Sequence, residues 1–95
     1  MSSVINLTLI GKPGCHLCGE AKLVVETVIA QFKTGHSGVA AAVQIDFREL
    51  NILEDPVLAS KYAEEIPVLQ INGQTHGYWR IDPIRLLAAL ESTIN

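Results

Sequence analysis

The sequence predicts a mixed α/β domain of element order βαβαββα, a four-stranded mixed sheet flanked by helices, and three observations predict it. Two runs rich in β-branched residues, 4–10 and 43–48, are separated by a long amphipathic stretch, which suits a parallel strand pair joined through a crossover helix. Asn72-Gly73 lies between two short strand-like runs and is the strongest short signal for an antiparallel hairpin. Asp55-Pro56 and Asp82-Pro83 each set an N-cap residue before a proline, a preferred opening of a helix.

Residues 4–10 alternate in part between apolar and polar side chains and read as a strand, which Gly11, Pro13 and Gly14 break. From Leu17 the apolar positions Ala21, Val24, Val25, Val28, Ile29 and Phe32 recur at steps of three and four, one face of a helix that should end near Lys33. Residues 34–38 hold two glycines and read as a loop. Val43, Ile45 and Phe47 then alternate with Gln44, Asp46 and Arg48 as a second strand. After Asp55-Pro56, Leu58 and Tyr62 share a face four residues apart, a short helix. Residues 68–71 are apolar enough for a buried strand, and 74–79 can return beside it. Leu86, Leu87, Leu90 and Ile94 line one face of the last helix. No repeat or low-complexity tract appears, so the expectation is one domain over residues 1–95.

A chain of 95 residues can bury roughly 60–65% of its unfolded surface. Its 48% apolar content supplies a core that folds without partners, and a monomer is expected. The net charge of -3 leaves no basic footprint, so nucleic-acid binding would lack its main electrostatic term. The first apolar run is short, interrupted by Asn6 and Thr8, and has no Lys or Arg before it; neither a signal peptide nor a membrane span is expected. The reading is therefore cytoplasmic. In that compartment a cysteine pair is more often catalytic or metal-binding than a structural staple.

That pair is Cys15-His16-Leu17-Cys18, placed where a strand ends, a Pro-Gly turn follows and a helix begins. Unpaired N–H groups and the positive end of the helix dipole favour an anion there, so Cys15 should ionise more readily than a free cysteine. The three-residue offset puts Cys18 on the same helix face, where its sulfur can displace a substrate held in a mixed disulfide. Two other readings stand beside this one. A structural disulfide across so short a loop would contribute only about 2 kcal/mol. A zinc site normally needs four ligands, and His36 and His76 would have to converge on the pair from a loop and a hairpin; no metal is expected.

The run Leu9-Ile-Gly-Lys-Pro-Gly-Cys-His-Leu-Cys18, followed by Ile66-Pro67-Val68 and Ile71-Asn72-Gly73, resembles the glutaredoxins, and more narrowly a glutaredoxin-like family of short proteins. The resemblance spans nearly the whole chain and implies the thioredoxin-like, glutaredoxin-type fold. It implies further that Pro67 is a cis-proline facing the cysteine pair. The backbone of Ile66 would then be left to pair with an extended substrate, as family members do with glutathione or peptide. Lys12 matches a lysine that glutaredoxins place near the glutathione carboxylate, and its charge would favour a Cys15 thiolate; the alternative is an exposed loop lysine.

Three features depart from the family pattern. Where glutaredoxins carry a Gly-Gly pair after the hairpin, this chain has Gly77-Tyr78, then Trp79 and Arg80 in place of small and acidic residues. A tyrosine there would block the γ-glutamyl arm of glutathione or stack on another ligand; core packing of Tyr78 or Trp79 under the last helix is the reading ranked above a ligand platform. His16 and Leu17 replace the more usual Pro-Tyr between the cysteines. A helix N-terminus disfavours an imidazolium, so His16 is expected as a neutral hydrogen-bonding ring or an exposed spacer.

The function expected from residues and resemblance together is thiol–disulfide exchange, with Cys15 as nucleophile and Cys18 resolving. Lys12, His16, Leu17, Ile66, Pro67, Gly77 and Tyr78 form the candidate substrate surface. No bound cofactor is expected; glutathione or another low-molecular-weight thiol is the candidate co-substrate, and the partner is a disulfide-containing protein or a glutathionylated substrate. In a monothiol variant Cys15 alone would remove glutathione. From a different class, the scaffold could hold a protein partner, a metal or a cluster without redox turnover.

Overall fold

Strand β1, Val4–Gly11, is the hub of the fold: it pairs parallel with β2, Gln44–Asn51, and antiparallel with β3, Val68–Ile71. These relations come from a computed structural model that describes residues 4–35 and 43–93. The remaining elements are α1 (His16–Gly35), a 3-10 turn (Ile52–Glu54), α2 (Pro56–Tyr62), β4 (Gln74–Tyr78) and α3 (Pro83–Thr93). The strand order is β2-β1-β3-β4, a mixed sheet with the predicted element order.

Side-chain alternation along β1 divides the core between two faces. Ile5, Leu7 and Leu9 join Leu69 on one face, against Ala21, Val25, Val28 and Phe32 of α1 and Leu86 and Leu90 of α3. Ile10 and Val68 point the other way and pack with Ile52, Tyr62, Leu58 and Ala59 around α2. Helices therefore cover both faces. On the α2 side the Tyr62 hydroxyl accepts from Gln70 Nε2 at 3.2 Å, which satisfies a polar group at the edge of that layer.

Local chemistry explains most boundaries. Asp55 accepts from Val57 N at 2.9 Å and Asp82 from Ile84 N at 2.9 Å, so each aspartate caps a helix whose first residue is proline. Asn72 and Gly73 have φ of 51° and 84°, the left-handed pair that a two-residue hairpin turn requires. Asn72 also docks the hairpin on β1, accepting from Asn6 N at 2.9 Å while its own N–H donates to Asn6 O at 2.8 Å.

Some boundaries differ from the sequence reading. Helix α1 continues past Lys33 through Thr34 and Gly35, and the Thr34 hydroxyl donates to Ala30 O at 2.9 Å within that extra turn. Strand β2 runs on to Asn51, because Glu49, Leu50 and Asn51 stay in register with Leu9, Ile10 and Gly11. Asn51 then caps the 3-10 turn through Leu53 N. Residues 36–38 of the expected loop and Ile94 of the expected helix lie outside the described residues.

Candidate active site

Cys15 precedes the first residue of α1, and its carbonyl accepts from Gly19 N at 3.2 Å, the first bond of the helix ladder. Its sulfur accepts from Cys18 N at 3.2 Å, so Cys15 occupies the position and makes the contact of an N-cap side chain. Cys15 and Cys18 are joined as a disulfide, with Cα atoms 5.2 Å apart. Both cysteines are half-buried. The Cys15 N–H donates to Lys12 O at 3.4 Å, and Gly14 within this turn has φ of 79°, a conformation that glycine adopts without steric cost.

Gly11 lies directly behind the pair. Two positions beyond Leu9, it shares the sheet face that α1 covers, and a β-carbon built on it would sit 2.8 Å from Cys18 Sγ. The missing side chain makes room for the resolving sulfur. A cleft of about 440 Å³ opens here, lined by both cysteines with Lys12, Lys22, Glu49 and Asn51 among its polar groups. Lys22 Nζ and Glu49 Oε1 are 3.5 Å apart across it, an ion pair whose partners are each about half exposed.

The other residues singled out from sequence fall in three places. Lys12 shares the cysteine cleft. Leu17 and Tyr78 meet with Trp79 and Arg80 in a separate depression on the opposite flank of the helix start. Ile66 packs in the α2 layer, and the Ile66–Pro67 peptide bond is cis, with Pro67 buried. Gly77 is half-buried in β4 opposite Leu69. His16 turns outward to Glu20, with Nε2 and Oε1 3.2 Å apart and its side chain 88% exposed, so its ring contacts the helix surface rather than Cys15.

The expectation that Tyr78 or Trp79 packs under the last helix is overturned. Tyr78 is 48% and Trp79 53% exposed, and Ile81 takes the core position instead. Regular alternation stops because Trp79 adopts φ of 66°, left-handed backbone that a bulky residue rarely occupies. Two hydrogen bonds hold it: Trp79 N donates to Pro67 O at 2.8 Å, and the indole Nε1 donates to Glu64 O at 3.1 Å. Tyr78 and Trp79 contact edge to face, ring centres 5.2 Å apart.

Sequence reasoning missed Gly11, Lys22 and Glu49. Lys22 carried a local signal, since it follows Cys18 by four residues and so shares its helix face. Glu49 carried none, because β2 reaches the site only through pairing with β1. Among the described residues no group of three or more His, Cys, Asp or Glu side chains could hold a metal ion, and no helix is long and apolar enough to cross a membrane. His36 lies outside those residues.

A half-buried cysteine pair at the start of the first helix, on a four-stranded mixed sheet of order β2-β1-β3-β4 flanked by helices, places the chain in the thioredoxin-like fold class. Within it, residues 6–91 match the family described as Glutaredoxin-like domain (DUF836), and the chain belongs to that family. Among solved structures, the structural-genomics target protein XcR50 from X. campestris is similar by crystallography, at 29% identity over 90% of this chain and 96% of that one, with a TM-score of 0.60. Its solution structure aligns at 30% identity over 90% and 92%, with a TM-score of 0.59. A thioredoxin variant from Halobacterium salinarum shares the fold at 21% identity, over 98% of this chain and 77% of that one, with a TM-score of 0.60. A search of curated proteins found no match.

Proposed function

We propose that this protein is a thiol–disulfide oxidoreductase that reduces protein disulfides or glutathione mixed disulfides in a reducing, cytoplasmic setting, acting as a monomer. The observation that carries the reading is the contact of Cys18 N–H with Cys15 Sγ at the start of α1. A hydrogen-bond donor and a helix dipole directed at one sulfur stabilise it as a thiolate, the form that attacks disulfides.

The reaction begins when the Cys15 thiolate attacks one sulfur of the substrate disulfide. A Cys15–substrate bond forms, the substrate S–S bond breaks, and the departing thiolate takes up a proton. Cys18, having released its own proton, attacks Cys15 Sγ; the intramolecular disulfide forms and the second substrate thiol leaves. Two electrons have passed from the protein dithiol to the substrate. A low-molecular-weight thiol such as glutathione restores the dithiol by the reverse exchange. Lys12 supplies charge beside the cysteines for a carboxylate-bearing thiol, and the Ile66 main chain next to Pro67 supplies an edge for an extended substrate.

Equilibration of the protein against glutathione redox buffers, read by mass after acid quenching, tests the reading. The expected result is a two-electron transition between dithiol and Cys15–Cys18 disulfide; a protein that stays reduced or carries only bound glutathione overturns the dithiol mechanism. In Cys18→Ser the expected product is a trapped Cys15 mixed disulfide. Full turnover by that variant would assign the reaction to Cys15 alone.

A further inference from the structure

The depression formed by Leu17, Tyr78, Trp79 and Arg80 is separate from the cysteine cleft yet begins on Leu17, one of the two residues between the cysteines. It measures about 530 Å³, room for one or two side chains. Two large aromatic rings stand about half exposed in it, where burial would ordinarily remove them from water. Trp79 keeps its place only by adopting strained left-handed backbone, of the kind that clusters at ligand clamps. Arg80 is the single formal charge lining the depression, and among the described residues its guanidinium has no carboxylate partner.

We infer that this depression selects the substrate of the proposed exchange: an extended protein segment with an aromatic residue beside its disulfide cysteine and a carboxylate one position further on. The inference rests on the redox reading and names its substrate class. A cysteine bonded to Cys15 leaves its neighbouring residue over Leu17, the aromatic ring settles against Tyr78 and Trp79, and the carboxylate reaches Arg80. Glutathione brings only small, charged arms to these rings and leaves most of their apolar surface exposed. The exchange itself is unchanged: Cys15 takes the aromatic-flanked sulfur, the other substrate sulfur leaves as a thiolate and is protonated, and Cys18 closes the protein disulfide.

Three disulfide-bridged synthetic peptides, identical except for the two residues after one cysteine (Phe-Asp, Phe-Lys or Ser-Asp), are each mixed with the reduced full chain and followed by acid quenching and mass. Oxidised glutathione and bis(2-hydroxyethyl) disulfide complete the set, and every rate is divided by that for the hydroxyethyl compound. Phe-Asp should react about tenfold faster than Ser-Asp. Trp79→Gly, which suits the left-handed backbone, should bring the two together. Arg80→Glu should reverse the order of Phe-Asp and Phe-Lys. Equal peptide rates in the wild type, a preference that survives Trp79→Gly, or a faster reaction with oxidised glutathione than with Phe-Asp overturns the inference while the redox reading stands. No reaction with any disulfide, the hydroxyethyl compound included, overturns both.

Discussion

The main-chain N–H of Cys18 donates to the sulfur of Cys15 across 3.2 Å, so one half of the pair caps the helix that carries the other. Reduction leaves this donor in place. The expected outcome is a Cys15 thiol that ionises below the ordinary free-cysteine value of about 8.5. Thiolate ultraviolet absorbance of the reduced Cys18→Ser variant, which keeps the main-chain donor and a single thiol, checks it; titration at or above the free value removes the basis for an activated nucleophile.

Gly11→Ala tests the space behind the pair. The added β-carbon would lie 2.8 Å from Cys18 Sγ and 3.2 Å from its Cβ. In the disulfide form that sulfur is tied and cannot swing away, whereas a free thiol can change rotamer. The oxidised protein should lose about 1–3 kcal/mol and the reduced protein less. By linkage the variant disulfide becomes easier to reduce. Urea unfolding of both redox forms checks this, and equal losses in the two would count against a role for Gly11 in seating Cys18.

Leu86 is fully buried between α3 and the sheet, while Ile84, two residues earlier, is 80% exposed. Leu86→Ala should cost about 2–5 kcal/mol through lost burial and an unfilled cavity. Ile84→Ala should stay within about 0.5 kcal/mol. Denaturant midpoints of the two variants check the orientation of α3; a comparable cost at both positions would mean that the helix face is wrongly placed.

His76 on β4 is held below the ordinary histidine value of 6.5, chiefly by burial and then by the charge of Arg85, with Asp82 opposing. Its folded form resists protonation, so the unfolded chain takes up a proton first as pH falls below 6.5. The contribution is fully present above 6.5 and is lost as pH drops toward the lower folded value. Thermal unfolding from pH 7.5 to 5 should show the wild type losing more stability than His76→Gln, and parallel curves would contradict the assignment.

Within each element the sequence determined much of this protein. Apolar spacing marked the buried face of α1, where Ala21, Val25, Val28 and Phe32 reach the core, and Asp-Pro starts and Asn72-Gly73 placed two helices and the hairpin turn. These signals are legible because each arises from groups within about one helical turn or one tight turn of each other. The cysteine pair belongs to the same class, since the N-cap contact of Cys15 joins residues three apart.

Only the tertiary structure decided what surrounds that pair. Glu49 enters the cysteine cleft because β2 pairs with β1, and Gly11 matters because α1 packs over the end of β1. Trp79 stands on the surface because Pro67 and Glu64, 12 and 15 residues earlier in the chain, accept its two N–H groups and hold a backbone conformation that its own side chain disfavours. A residue's local preference carries no record of such distant partners, and their combined hydrogen bonding outweighs that preference once the sheet is closed.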